Sequence, residues 1–249
     1  MKHSFIDKYS ELRSPLHDLD PRVKFIAFFL SILIMVSEPH GEMKSFILYY
    51  ALILIFIVLS RIPLKFYFQR IIFVLPFLLA LSLLLPLSLW AGGDAAVTKD
   101  HSNAIYLGLS LLLKTLGAVL LLTLLVSTNK FHKLLKGLRL LKMPEVLGQI
   151  TAVMYRYVFI LNDERIRTLR AKESRTPGKL RSNPLKVYGN LAALIFLRSW
   201  ERAHVVYNSM LSRGFSGNFP DQRELNMMPK DMVFLTAVTT GFLLIRIFY

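Results

Sequence analysis

Cysteine is absent from this chain of 249 residues, so disulfides, thiolate metal sites and cysteine nucleophiles are excluded together. The six histidines (His3, His17, His40, His101, His132 and His204) stand apart, with neither HExxH nor His-x3-His spacing, and read as scattered surface residues instead of metal ligands. No GxxxxGK[ST] occurs either. The chain therefore has no phosphate-cradling loop of the usual kind, and ATP-driven work would fall to a partner. The N-terminal stretch MKHSFIDKYSELRSPLHDLDPRVK has no apolar run before Lys24, which excludes a secretory signal there. Internal repeats and low-complexity tracts are missing too.

Apolar residues are what the chain has in excess. They make up 54% of it, with a mean hydropathy of +0.47, more than one soluble core absorbs. Five runs read as membrane spans: about Val23 to Ser37, Ser45 to Leu59, Ile71 to Trp90, Ala104 to Ser127 and Met232 to Phe248. A hydrocarbon core of roughly 30 Å asks for about 20 helical residues, so the first two must recruit flanking residues, thin the bilayer or let Lys24 or Lys44 snorkel.

Basic residues orient these spans. Five precede the first (Lys2, Lys8, Arg13, Arg22, Lys24), only Lys44 follows it, and the next connection carries Arg61, Lys65 and Arg70. The loop after span three has Lys99 alone, against Asp94 and Asp100. The alternation predicts a cytoplasmic N-terminus, a cytoplasmic segment 128–230 and an outer C-terminus. That segment holds 19 basic and seven acidic residues. Its runs VLGQITAVMYRYVFIL and VYGNLAALIFLRSW are apolar, yet a crossing by either would strand the basic stretch from Asn162 to Lys186 on the outer side. They read as amphipathic helices along the inner face. Pro144, Pro177, Gly178 and Gly214 punctuate three pieces, Lys130 to Lys142, Glu145 to about Arg175 and about Leu185 to Arg213.

Few residues offer chemistry. Lys114 lies halfway along span four, where a bare ammonium costs roughly 2.5–3.5 kcal/mol. Contact with a neighbouring helix or subunit and snorkelling along its own stem both account for it. Pro76 and Pro86 interrupt span three and predict a bend or hinge, although proline is commonplace in membrane helices. Tyr155-Arg156-Tyr157 reads first as an interfacial anchor and second as a contact between helices. Glu164 and Glu201 are expected to pair with arginines on their own helices. The two long helices both end in Ser-Arg, Ser174-Arg175 and Ser212-Arg213. One such cation only complements a helix dipole. A pair presents two guanidinium forks, suited to a two-fold partner.

Three stretches carry a resemblance: SPLHDLDPRVKFIAF, STNKFHKLLKGLRLLKMPEVLGQITAVMYRYVFILNDE and ERAHVVYNSMLSRGFSG. Together they resemble the transmembrane (T) coupling component of energy-coupling-factor (ECF) importers, in its cobalt-transport CbiQ branch. In that family two short Ala-Arg-Gly-like motifs dock on the ATPase subunits. Carried over, they fall on Ser174-Arg175-Thr176 and Ser212-Arg213-Gly214, with Ser in place of the usual Ala and Thr176 where Gly or Ser is commoner. The resemblance implies a CbiO-like ATPase dimer that carries ATP and Mg, a CbiM-like substrate-binding membrane subunit and a small CbiN-like accessory one. No cofactor is expected on this chain.

The expectation is thus an all-α polytopic helical protein of the bacterial or archaeal cytoplasmic membrane. Residues 1–127 form a membrane bundle of about four spans, 128–230 the coupling helices and 231–249 the last span. It acts as the non-catalytic T subunit of a cobalt importer, with nickel or a vitamin as the alternative cargo. From another class, a lipid-modifying membrane enzyme would have only Asp163, Glu164 and His132 to draw on. Basic helices without an aromatic stacking platform make a nucleic-acid partner unfit.

Overall fold

A computed structural model of the chain describes residues 12, 14–38, 43–90, 101–141, 143–175, 183–217 and 227–248. Among the described residues the elements are eight helices: α1 (Pro21–Val36), α2 (Met43–Ser60), α3 (Leu64–Trp90), α4 (His101–Ser127), α5 (Phe131–Leu140), α6 (Glu145–Arg175), α7 (Pro184–Ser212) and α8 (Pro229–Phe248). No strand occurs among the described residues. The protein is all-α and polytopic, and it divides into two compact units. One comprises 142–224, the other 2–141 with 225–249.

The larger unit is a bundle around α1. Asp20 caps that helix by accepting from the Arg22 amide at 2.9 Å, and Pro21 fills the first turn where no amide donor is needed. Phe28 of α1, Phe56 of α2 and Phe234 of α8 meet edge to face with centroids 6.0 to 6.3 Å apart. Lower on the same seam Tyr49 of α2 stacks on Phe242 of α8 at 5.3 Å. The outward faces are apolar as well, with Phe73 86% and Ile47 71% exposed, which only a lipid surround accommodates.

Of the five spans that the apolar runs predict, three among the described residues have the length and composition to cross: Leu64–Leu84, Tyr106–Ser127 and Pro229–Phe248. The apolar part of α2, Lys44–Ser60, is shorter. At 16 residues α1 is about 24 Å long and is packed on several sides by other helices. Helix α3 runs unbroken through Pro76 and Pro86.

Lys24 does not snorkel. It is fully buried and donates to the Thr128 carbonyl at 3.3 Å and to the His17 carbonyl at 3.5 Å, because the end of α4 and the turn before α1 surround it with oxygens. Beside it Asp231, 2% exposed, accepts from the amides of Asp20 at 3.1 Å and Met228 at 2.8 Å. The starts of α1 and α8 and the end of α4 therefore meet at one end of the bundle. The first helix of the expected coupling segment, α5, belongs here too. Its Gly137 lies against the start of α1, where a Cβ would come within 3.3 Å of the Arg22 amide nitrogen.

Replacing Lys24 by Met keeps the stem but leaves the Thr128 carbonyl without its buried donor. Lys24→Met is expected to lower stability by about 1–3 kcal/mol, seen as a lower thermal midpoint in detergent. Leu54→Ala, on an outward face, should leave the midpoint nearly unchanged. Equal midpoints for wild type and Lys24→Met would show that the buried ammonium contributes nothing.

Candidate functional site

Helices α6 and α7 form the second unit and run antiparallel. Lys172 reaches Tyr188, Glu164 pairs with Arg198, and Val153 and Met210 line the same groove. Local chemistry starts each helix cleanly. Glu145 follows Pro144 in the favourable first turn of α6, and the Asn183 side chain accepts from the Leu185 amide at 3.1 Å with Pro184 next in line. Few residues of the two are buried: Gly148 and Thr168 on α6, and none on α7.

Polar cross-links hold the pair in place of a core. Glu164, 15% exposed, pairs with the half-exposed Arg198 across the helices, correcting the expectation of a partner on its own helix. The geometry favours this because α7 brings a guanidinium to the face on which Glu164 already sits. Lys172 lies 4.7 Å from the centroid of the Tyr188 ring and 3.4 Å from its hydroxyl. Tyr157 lines the groove between the helices with Leu161 and Val206, the second of the two roles expected for it.

The two motif arginines are placed at opposite ends of this pair. Arg213 shares a groove of about 760 Å³ with Arg156, Tyr157, Ser209 and Ser216. Arg175 shares one of about 550 Å³ with Arg167, Lys172 and Arg198. Since α7 ends beside Val153, the arginines stand roughly 35 Å apart at 1.5 Å per residue. Both are exposed, as are Ser174 and Ser212, whose hydroxyls turn back to their own helices at Ala171 and Asn208. Thr176 lies outside the described residues.

Gly214 explains the shape of the second motif. Its φ of +80° ends α7 in a left-handed turn, with Gly214 N–H donating to Leu211 O at 2.9 Å and Phe215 N–H to Met210 O at 3.0 Å. These two bonds satisfy the last carbonyls of the helix. Phe215 then folds back beside Met210, which fixes Arg213 as the cap residue at a rigid corner.

Lys114 proves to be held inside its own bundle. At 5% exposure it donates to the Glu38 carbonyl at 2.6 Å, and the Glu38 carboxylate accepts from the Tyr49 hydroxyl at 2.9 Å. Glu38 is 2% exposed and was not picked out by the sequence, because it sits past the apolar run of α1 in what reads as a loop. Arg167, Lys172 and Arg198 were missed for a similar reason: each is one basic residue among many until the fold groups it with a motif arginine. A row at 167, 171 and 175 on one helix face was the only available signal. Of the residues open to an enzymatic reading, His132 is on α5, in a different unit from Asp163 and Glu164.

Comparison with known proteins gives a family description of cobalt transport protein, CbiQ, matching residues 13–225. The chain is similar to the energy-coupling factor transporter transmembrane protein EcfT of Staphylococcus aureus, 27% identical over 251 residues that cover 94% of this chain and 92% of that protein. It is also similar to a putative fused cobalt transport protein CbiMQ of Methanocorpusculum labreanum, 24% identical over 217 residues, 83% of this chain and 36% of that one. A shorter likeness, 32% identity over 92 residues, joins 37% of the chain to 33% of the nickel permease LarQ of Lactiplantibacillus plantarum.

A Cβ added at Gly214 would meet nothing within 4 Å, so the cost of substitution there is conformational. Gly214→Ala is expected to cost about 1 kcal/mol. Amide exchange should quicken at 214 and 215 and stay unchanged in the middle of α7. Unaltered exchange at these two amides would argue against the strained corner.

Proposed function

Because the chain belongs to the CbiQ family of cobalt transport proteins, we propose that it is the transmembrane coupling subunit of an ECF-type importer for cobalt ions. In this reading an ATPase dimer docks at the two ends of the α6–α7 pair, and a separate membrane subunit captures the cargo. Support comes from the names of relatives, EcfT over nearly the whole chain and a CbiMQ fusion over the greater part of it. The observation that carries the reading is the placement of Arg175 and Arg213 at opposite ends of one cross-linked helix pair. Two exposed guanidinium groups held at a set separation can grip two equivalent subunits, and polar links such as Glu164–Arg198 keep that separation from collapsing.

Force transmission asks for stiffness and defined points of attachment. The corner at Gly214 supplies one such point, and the uninterrupted 31 residues of α6 supply a lever. ATP and Mg belong to the partner subunits in this scheme, and the chain performs no catalysis. The meeting of the α1 start, the α4 end and the α8 start at one end of the bundle agrees with the alternation of basic loops, and favours a cytoplasmic N-terminus and coupling segment. Nickel is the second reading for the cargo, favoured by the likeness to LarQ.

Arg175→Glu combined with Arg213→Glu is expected to abolish cobalt uptake and co-purification of the ATPases, while the protein still inserts in the membrane. Undiminished co-purification with the double variant would remove the docking role. Competition between cobalt and nickel for uptake by cells carrying the complete transporter decides the cargo.

A further inference from the structure

The two ends of the α6–α7 pair differ in chemistry. At the Arg175 end the groove gathers Arg167, Lys172, Arg175 and Arg198 around a single carboxylate, Glu164, which is already paired with Arg198. At the Arg213 end the lining has two cations, Arg156 and Arg213, and the rest is hydroxyl, backbone and apolar: Ser209, Ser216, Gly214 and Phe215 among them.

Resting on the docking role proposed above, we infer that the Arg175 end is a salt-sensitive electrostatic anchor that receives an acidic segment of the partner ATPase. The Arg213 end, in contrast, holds its subunit by shape and directional hydrogen bonds. Arg167, Ala171 and Arg175 lie one turn apart on one face, so the cations are strung over about 12 Å of helix. A single phosphate headgroup spans only a fraction of that length, whereas a segment bearing several carboxylates matches it. Two of the cations are already positioned, Lys172 by the Tyr188 ring and Arg198 by Glu164. Preorganisation of this kind lowers the cost of ordering long side chains on binding. Leu191 and Leu194 form the apolar part of the same wall and give the incoming segment a register.

Charge steering of this kind fades as the screening length falls from about 10 Å at 0.1 M salt to about 3 Å at 1 M. The test measures ATPase affinity for the detergent-purified membrane complex across that range, with wild type, Arg167→Gln/Lys172→Gln, Arg167→Gln alone and Arg213→Gln. The Arg167→Gln/Lys172→Gln protein is expected to bind several-fold more weakly at low salt and to lose most of the salt dependence. Arg167→Gln, an exposed change that leaves the Lys172–Tyr188 contact in place, should lie between it and wild type. Arg213→Gln should bind more weakly with the steep dependence retained.

Weakened binding with the same salt slope in every variant would overturn the inference and leave the docking role standing. Unweakened binding in every variant would overturn the docking role and the inference with it. A slope that vanishes on delipidation, and returns only with vesicles of phosphatidylglycerol, would assign the groove to lipid and overturn the inference as well.

Discussion

One buried ammonium and one buried carboxylate hold the bundle together where its helices would otherwise have loose ends. Helix termini leave backbone groups without intrahelical partners, and in a lipid surround those groups must be satisfied by protein. Lys24 supplies the donor that the end of α4 needs, and Asp231 accepts from amides at the starts of α1 and α8. With those ends tied, a first helix too short to cross on its own length can occupy the centre of the bundle. The aromatic contacts of Phe28 and the close approach of α5 at Gly137 both depend on α1 being held there.

The second unit follows a different logic. Two helices alone cannot enclose a core, and no residue of α7 is buried. Its order comes from long side chains that cross the gap and from a corner closed by backbone hydrogen bonds. Large apolar residues such as Leu185, Phe196, Trp200 and Val205 stay exposed on α7. A pair built in this way suits work done in an assembly, because its faces are left to other surfaces and its ends carry the specific polar groups. Membership of the CbiQ family sits naturally with that construction.

Much of this was legible in the chain itself. The three helical pieces after residue 128 were expected within a few residues of where α5, α6 and α7 lie, because stops such as Pro144 and Gly214 act locally. Ser212-Arg213-Gly214 was legible for the same reason, since a positive φ at one glycine is a property of a few consecutive residues. For Lys24 snorkelling was one of three ways to accommodate a short span, and Glu38 and Asp231 were not read at all. Each has a partner far along the chain, Lys24 at Thr128, Glu38 at Lys114 and Asp231 at Asp20. Glu164 was matched to the wrong helix because a basic neighbour one turn away is visible in sequence and one 34 residues away is not.

By itself the sequence determined that the chain is helical and membrane-embedded, where its helices stop, and that two of them end in serine–arginine. Those are consequences of apolar run length, helix-breaking residues and the hand of the backbone, all of which act over a few turns. Only the tertiary structure decided that the two arginines face opposite ends of one antiparallel pair, and that a strongly basic groove surrounds just one of them. It also decided that the polar residues at the edges of α1 and α8 are buried ties between helix ends. Long-range pairing depends on which helix faces come together, and that is settled by packing in three dimensions.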